Sequence, residues 1–370
     1  MMPFVLVPRA APSRLLTWLS PLIALALTVL CGMLLFGVLG KDPLAAVQVF
    51  FIEPLRNLRG VSEVLLKATP LIVIALGLAV CYRSNVWNIG AEGQFLLGCV
   101  VGGGLALWLS GLAQQGIVLP KPLGVALVLL AGMLGGALWA ALVALLRDRF
   151  NANEILVSLM LVYVAQQVVN ALVFGPWKDP QGFNMPQTAL FHASLHLPPL
   201  VERSRLHVGL VIALVLAVVA ALFLFRSFRG FQLQVGGLAP AAARYAGFSS
   251  RAALWTALLL SGALAGLAGA MEVAGPIKQV TPYLSTGLGF TAIIVCFVGR
   301  LHPLGIVGAG VLLSLMLIGG ELAQSRLGLP NAMASVLQGL LLLILLACDT
   351  FILQRLRWVR ARNPSKGAAA

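Results

Sequence analysis

The chain contains ten separate apolar stretches, most of them long enough to cross a lipid bilayer, which takes about 20 apolar residues. Its residues are 60% hydrophobic and only 10% charged, whereas a soluble domain is roughly a quarter charged. We therefore predict an all-α polytopic membrane protein with about ten transmembrane or re-entrant helices, some of them discontinuous. The stretches are residues 17–40, 62–82, 94–113, 121–146, 154–174, 207–225, 252–273, 286–299, 303–320 and 332–354.

A long loop rich in proline, residues 175–206, separates these stretches into two groups of five. We expect one transmembrane domain over residues 1–370, built from two pseudo-repeated halves at about 1–174 and 207–354. The stretches 94–113 and 286–299 are short or contain several glycines, so each is a candidate re-entrant segment.

The distribution of basic residues predicts the orientation. An even number of crossings places both termini on one side, and the loops on that side are short and carry most of the arginines. Four of them, Arg355, Arg357, Arg360 and Arg362, follow the last stretch. Because arginine and lysine accumulate in cytoplasmic loops, both termini are expected in the cytoplasm. The net charge of +14 then faces anionic membrane lipid, and nucleic acid is not expected as a partner.

The cysteines and histidines do not form a recognisable metal site. The five cysteines lie in or beside apolar stretches without a C-x-x-C pair. Only His192 and His196 have helical i, i+4 spacing, and they lie in the loop rich in proline. No metal site is predicted.

The most distinctive polar motif covers residues 82–94, between two apolar stretches. Its polar members include Asn85, Asn88, Glu92 and Gln94. Polar groups at membrane depth need protein or water around them, and broken helices in transporters use such segments to contact solute. The alternative is a simple cytoplasmic turn.

A second glycine-broken region lies in the other half. Glycines flank Phe290 and Thr291, and Pro303 interrupts what would otherwise be one long apolar helix. Broken helices in corresponding places of two halves indicate a translocation path. The alternative is an ordinary loop with proline at the start of the next helix. Glu272, near the outer end of its stretch, either lines an entrance or extends to the membrane surface.

The loop at residues 226–251 contains a predicted helix of about two turns, Ala239 to Ala246. Pro240 suits the first helical position, and Gly247 suits the position after the helix ends. A helix this short is marginal in water, so it is expected to need a docking partner. The alternative is a solvated connector.

No catalytic motif accompanies these features. In particular, the sequence lacks the G-x-x-x-x-G-K-[ST] phosphate loop of an ATPase. If transport is driven by ATP, another chain must hydrolyse it.

Four stretches together resemble the permease subunit of nucleoside and simple-sugar ATP-binding-cassette (ABC) importers. They are residues 88–94; 152–155 with 159–161; 242–247 with 261–270; and 289–293 with 299–305. They span about residues 60–310 in the expected order. Val162, Ala239 and Thr291 depart from residues common in the family, which affects the expected solute rather than the fold.

The resemblance implies a bacterial inner-membrane permease that imports a nucleoside or a similar small polar solute. Expected partners are a cytoplasmic ABC ATPase, a second and different permease chain, and an extracytoplasmic solute-binding protein. This chain would hold no cofactor, since ATP and magnesium bind the ATPase. Alternatives are a permease for simple sugars or branched-chain amino acids and, less favoured, an ion-coupled secondary transporter.

Two sets of residues carry these expectations. The predicted translocation path consists of Asn85, Asn88, Glu92, Gln94, Phe290 and Thr291. The predicted ATPase contact consists of Ala239, Pro240, Ala243, Arg244, Tyr245 and Gly247.

Overall fold

The computed structural model describes residues 4–8, 14–183, 185–202, 204–330 and 332–358. The basic residues Arg9, Arg203, Arg360, Arg362 and Lys366, which enter the orientation argument, lie outside this part. The described chain is mainly helical, which confirms the predicted fold class. Short strands lie near its two ends, β1 (Phe4–Pro8) and β2 (Gln354–Trp358).

The helices follow the apolar stretches closely. They are α1 (Arg14–Val38), α2 (Pro43–Val47), α3 (Leu58–Arg83), α4 (Ala91–Gln114), α5 (Lys121–Phe150), α6 (Glu154–Phe174), α7 (Gly209–Arg226), α8 (Phe228–Leu238), α9 (Pro240–Tyr245), α10 (Ser250–Glu272), α11 (Leu288–Val298), α12 (Pro303–Leu327) and α13 (Ala332–Leu353). Single π or 3-10 turns occupy Gln48–Ile52, Glu53–Leu55, Ala193–Leu195, Val273–Ile277 and Pro282–Leu284.

Among the described residues, nine helices are long and apolar enough to cross a membrane. Helix α4 is one of them: it runs unbroken for 24 residues in spite of its glycines. Helix α11 has only 11 residues, which reach about 16 Å, roughly half of a hydrocarbon core of about 30 Å. Of the two candidate re-entrant segments, only the region of α11 is therefore too short to span.

The chain divides into two compact units. The first contains α1 and α13, which pack against each other. Inside it, Ser20 Oγ donates a hydrogen bond to Asp349 Oδ1 over 3.0 Å. Strands β1 and β2 pair antiparallel, from Phe4 opposite Trp358 to Pro8 opposite Gln354. Because these strands pair, the two ends of the described chain lie next to each other.

The second unit, Phe50–Gly319, is built around α3, α4, α5 and α10. Small residues allow these helices to approach closely. A Cβ atom on Gly98 would overlap the backbone of Gly266, and one on Gly136 would overlap Gly262. Such close contacts of small residues are typical of helix packing in membranes. The boundary of this unit differs from that of the predicted sequence halves, which remain a prediction.

The loop at residues 175–206 packs along the end of α10 and the residues after it. The Thr188 amide donates to the Val280 carbonyl (3.1 Å), and the Leu197 amide donates to that of Ala274 (3.0 Å). These backbone bonds hold the loop against the same end of the second unit as the segment that leads into α11.

Candidate functional site

The chain between α3 and α4 is non-helical and runs beside α11. At one end, Arg83 Nε donates to the carbonyl of Leu301, just past the C-terminus of α11 (2.8 Å). At the other end, Glu92 accepts from the amide of Gly289 at the N-terminus of α11. Residues 84–90 therefore follow α11 along its length of about 16 Å. A non-helical backbone at such depth is stable only if protein or water satisfies its polar groups.

Nearby side chains satisfy the backbone of this segment. The Tyr82 hydroxyl donates to the carbonyl of Asn88 (3.1 Å). The amide of Ile89 donates to Ser158 Oγ (3.2 Å), and the amide of Gly90 donates to Asn88 Oδ1 (3.1 Å). The segment is thus held in one conformation by side chains of α3, α6 and its own residues.

Asn88 and Gln94 form a reciprocal pair. Asn88 Nδ2 donates to Gln94 Oε1 (2.9 Å), and Gln94 Nε2 donates back to Asn88 Oδ1 (3.1 Å). Asn88 Nδ2 also donates to Ser261 Oγ on α10 (3.0 Å). Asn88 and Gln94 are 0% and 1% exposed. Their amides therefore connect the non-helical segment to α4 and α10 inside the protein, away from lipid.

Glu92 caps the N-terminus of α11. Its carboxylate accepts hydrogen bonds from Ser285 Oγ (2.9 Å) and from the amides of Gly287 (3.0 Å) and Gly289. A negative charge stabilises a helix N-terminus, where amides lack partners within the helix. A Cβ atom on Gly289 would overlap the backbone of Glu92. Glycine at this position therefore allows the starts of α4 and α11 to meet.

The remaining predicted path residues have different surroundings. Asn85 is exposed in a left-handed conformation (φ 56°), and its Oδ1 accepts from Trp87 Nε1 (3.2 Å). Phe290 is 40% exposed, whereas Thr291 is buried. The structure thus brings Glu92 beside Phe290 and Thr291 at the start of α11, and it places Asn85 towards the other end. Lining of a path by these residues stays a prediction.

The short helix predicted at Ala239–Ala246 is present as α9, Pro240–Tyr245. Its C-terminus is closed by two backbone bonds, from the amide of Gly247 to the carbonyl of Arg244 (3.0 Å) and from that of Phe248 to Ala243 (2.9 Å). Gly247 has φ +77°, the left-handed conformation that this type of helix ending requires. The predicted roles of Pro240 and Gly247 in starting and ending the helix are confirmed.

Helix α9 turns most of its surface outward. Ala239, Pro240 and Arg244 are exposed, and Tyr245 is 97% exposed. Only Ala243 of the predicted contact set is buried, at 5% exposure. Within the described chain, nothing covers the outer side of this helix.

Helix α8 was missing from the sequence-based prediction, which placed a single short helix in this loop. Ser227 begins α8, because its Oγ accepts from the amide of Gly230 (2.9 Å). The available signal was this serine, followed by Phe228 and Phe231 at helical spacing. The glycines at 230, 236 and 237 lower the intrinsic helix propensity and obscured it.

The family model described as the branched-chain amino acid transport system permease component matches residues 60–346, well over half of the chain. The chain belongs to this permease family. As such it is a multi-pass protein of the plasma membrane and a transport component.

Named relatives of the permease extend over almost its whole length. It is 32% identical to the glucose ABC transporter permease protein TsgB13 of Haloferax volcanii, over 93% of this chain and 91% of the relative. It is 31% identical to the guanosine ABC transporter permease protein NupP of Bacillus subtilis, over 96% and 99%. A second Bacillus subtilis protein, the guanosine ABC transporter permease protein NupQ, is 28% identical over 79% and 91%. No solved structure matches the chain.

Arg83 is a connecting residue of the permease that sequence reasoning missed. Besides binding the carbonyl of Leu301, its Nη1 donates to Gln234 Oε1 on α8 (3.0 Å). Its guanidinium lies over the ring of Phe225 on α7, 4.9 Å from the centroid. A Cβ atom on Gly237 of α8 would overlap the carbonyl oxygen of Arg83. In the sequence, Arg83 lies in the polar motif at residues 82–94 and at the end of an apolar stretch, and no local pattern indicates its distant partners.

Ion pairs join neighbouring turns of the permease on the same side as α9. Arg251 at the start of α10 pairs with Asp148 (2.7 Å), and Arg147 pairs with Glu154 (3.2 Å). They line a cavity of about 450 Å³ that also includes Asn85. Such partly exposed pairs contribute only about 0–1 kcal/mol each, so they position these turns more than they stabilise them.

The side chains of the two histidines with helical spacing form hydrogen bonds within their own loop. His192 Nδ1 lies 2.9 Å from Ser194 Oγ, and His196 Nε2 lies 2.9 Å from the carbonyl of Phe191. In the described part of the permease, no group of three or more His, Cys, Asp or Glu side chains is arranged to hold a metal ion.

Proposed function

We propose that this permease imports a nucleoside or a similar small polar solute along the segment 84–90 and α11, driven by a separate cytoplasmic ATPase that docks on α9. The observation that carries the proposal is Arg83. It binds α8 through Gln234 and the end of α11 through Leu301, and it directly precedes the non-helical segment. A movement of α8 and α9 would therefore be transmitted through Arg83 to the buried segment.

The exposed surface of α9 supports the ATPase contact. A helix of six residues gains little from its own hydrogen bonds, and the exposed side chains of Arg244 and Tyr245 form no hydrogen bond or ion pair with the described chain. A partner surface would stabilise α9 and receive these side chains. In this arrangement ATP and magnesium bind the ATPase, and both termini of the permease lie in the cytoplasm.

The relatives support a second permease chain of different sequence. Two Bacillus subtilis proteins, both named guanosine ABC transporter permeases, match this chain separately. We infer that this chain likewise pairs with a related but different permease. An extracytoplasmic solute-binding protein would deliver the solute on the side opposite α9.

The solute class rests on the motif at residues 88–94 and on relatives named for guanosine. Exposed aromatic rings near the start of α11, Phe290 at 40% and Tyr283 at 79%, offer flat surfaces on which a nucleobase stacks. A simple sugar is the second candidate, because a relative named for glucose is 32% identical. Branched-chain amino acids and ion-coupled transport have no comparable support among the named relatives.

Uptake by the complete importer tests this function. Reconstituted into liposomes with its ATPase, partner permease and binding protein, the wild type should accumulate radiolabelled guanosine only when the ATPase is supplied with ATP. Glucose uptake in the same vesicles decides between the two solutes. Absence of ATP-dependent uptake of either compound would contradict the proposal.

Two neighbouring glycines of α8 test the connection through Arg83. Gly237→Ala places a methyl group against the carbonyl of Arg83, whereas a Cβ atom on Gly236 has no atom within 4 Å. We expect Gly237→Ala to reduce uptake per ATP hydrolysed, with Gly236→Ala close to wild type. Equal uptake per ATP hydrolysed in both variants would show that the contact between α8 and Arg83 is not needed for coupling.

A further inference from the structure

A small cavity lies in the second unit, at the end of α10 farthest from α9. It has a volume of about 210 Å³, and its lining includes Lys67 of α3, Glu272 of α10, Arg205 and Thr286. Helix α10 begins beside α9 and reaches Glu272 after 23 residues, about 33 Å along its axis. The cavity and the α9 surface are therefore separated by roughly the thickness of a membrane.

The charges of this cavity are incompletely paired. Arg205 forms a close ion pair with Glu63, which does not line the cavity (Nη2 to Oε2, 2.6 Å). Glu272 makes no hydrogen bond or ion pair with any residue that the structure describes, and neither does Lys67. Lys67 and Arg205 are close enough to act on the charge of Glu272. A carboxylate and an ammonium group thus face one small space without bonding each other.

Both unpaired groups lie within helices that cross the membrane. Lys67 follows nine residues after the start of α3, about 14 Å along the helix, and it is only partly exposed. Ionisable side chains within membrane-crossing helices are rare, and they mark the pathways of transported solutes and ions. The reading of Glu272 as a residue that merely extends to the membrane surface does not account for Lys67.

The cavity is adjacent to the predicted path. Thr286, in its lining, lies between Ser285 and Gly287, which both donate hydrogen bonds to Glu92. A solute in the cavity would therefore be next to the N-terminus of α11 and to the residues that join α11 to α4.

We propose that this cavity is a solute-binding site of the permease, in which the Glu272 carboxylate accepts hydrogen bonds from neighbouring ribose hydroxyls and the Lys67 ammonium donates one. A carboxylate oxygen pair is suited to two adjacent hydroxyl donors. Because the charges of Lys67 and Glu272 cancel, and Arg205 is paired with Glu63, the site suits an uncharged solute. Its volume equals that of about seven water molecules, enough for one sugar ring. This inference rests on the proposed function.

The test compares two acidic residues in the reconstituted importer. Glu272→Gln keeps the size of the side chain and removes its charge inside the cavity. Glu321→Gln removes one exposed charge from α12, outside the cavity. Initial uptake rates are measured for guanosine and for 2′,3′-dideoxyguanosine, which lacks both hydroxyls. Because every variant works with the same binding protein, a change in the ratio of the two rates reports on the permease.

We expect Glu272→Gln to lower guanosine uptake about tenfold, as loss of a charge-assisted hydrogen bond does, and to reduce the preference for guanosine over the dideoxy compound. Glu321→Gln should keep both values near wild type. An unchanged preference in Glu272→Gln, whatever its rate, would overturn the proposal, and so would equal effects of the two variants.

Lys67→Met provides a second measurement if Glu272→Gln fails to assemble. It removes a charge from a membrane-crossing helix, which favours insertion, and it should also reduce the preference for guanosine. An unchanged preference here would equally contradict the site. A wild-type importer that takes up neither guanosine nor glucose would overturn the proposed function and this inference together. Uptake of glucose alone, or active wild type with insensitive variants, overturns only the inference.

Discussion

The segment 84–90 with its neighbours and the helix α9 are both polar interruptions in an apolar chain, yet they satisfy their polar groups in opposite ways. In and beside the buried segment, the side chains of Asn88, Glu92 and Gln94 form hydrogen bonds with other parts of the same chain. In α9, Arg244 and Tyr245 are exposed, and only the backbone ending is fixed internally.

This difference indicates that the polar groups of the buried segment stabilise the fold, whereas those of α9 are available to bind a partner. A buried polar group without a partner destabilises the protein by about 1–3 kcal/mol, so the amides of the segment are needed to fold it. An exposed polar side chain has water as a partner and contributes little to folding. We therefore expect substitutions in the segment to lower stability and function together, and substitutions in α9 to lower function alone.

The largest expected effect is that of Gly289→Ala. The added methyl group would overlap the backbone of Glu92 and force the starts of α4 and α11 apart, at a cost of about 3 kcal/mol. We expect a clear fall in melting temperature and near loss of uptake. Gly308→Ala is the matched control, since a Cβ atom there has no neighbour within 4 Å. A stable, active Gly289→Ala variant would show that the contact between these helix starts is dispensable.

The next effect is that of Asn88→Ala, which removes the interior hydrogen-bond partner of the Gln94 amide and of the Gly90 backbone amide. We expect a loss of about 2 kcal/mol and reduced uptake, with membrane insertion retained; Glu92→Ala and Gln94→Ala should behave similarly. Asn85→Gly is the control, because Asn85 is exposed at positive φ and glycine accepts that conformation. Thermal unfolding in detergent and uptake in liposomes measure the difference. Wild-type values for all three buried-site variants would favour the plain cytoplasmic turn.

A smaller effect on stability is expected from Gly247→Val. Gly247 has φ +77°, where a side chain adds strain of about 1–2 kcal/mol. The strain should loosen the end of α9 and reduce coupling of ATP hydrolysis to uptake. Gly247→Asn should retain coupling, because asparagine tolerates the left-handed conformation. Equal coupling in both variants would mean that the shape of this helix ending does not matter.

The smallest effect on stability should come from Arg244→Glu, within about 0.5 kcal/mol of wild type. The comparison predicts that this variant nevertheless loses the ATPase. Co-purification and solute-stimulated ATP hydrolysis measure that loss. Lys121→Glu reverses another exposed charge at the start of α5, away from α9, and should keep the ATPase bound. If the Arg244→Glu variant still binds the ATPase and keeps solute-stimulated ATP hydrolysis, α9 is not the ATPase contact.

Much of this architecture could be predicted from the sequence because its causes are local. Continuous apolar stretches specify crossing helices, and Pro240 with Gly247 specifies a short helix between them. The network around Asn88 depends on Ser261, which lies 173 residues away in sequence. No local pattern indicates such a partner. Likewise, the cap that Glu92 provides for α11 is a contact between distant segments.

The dependence on contacts between distant segments also explains the wrong predictions for α8 and α4. Helix α8 was missed because three glycines lower its helix propensity, while its packing against Arg83 needs glycine at 237. The glycines of α4 suggested a broken helix, but Gly98 is needed where the backbone of Gly266 approaches. In both helices glycine serves close packing between distant elements, which a reading along the chain interprets as a break.

The pairing of α1 with α13 has a consequence for synthesis. The ribosome completes α13 only after the other helices of the described chain, and Ser20 meets Asp349 across 329 residues of sequence. Until α13 is made, the face of α1 that packs against α13 contacts lipid or an insertion factor instead. A chain truncated before α13 thus lacks the surface against which α1 packs, and its Ser20 lacks the Asp349 carboxylate.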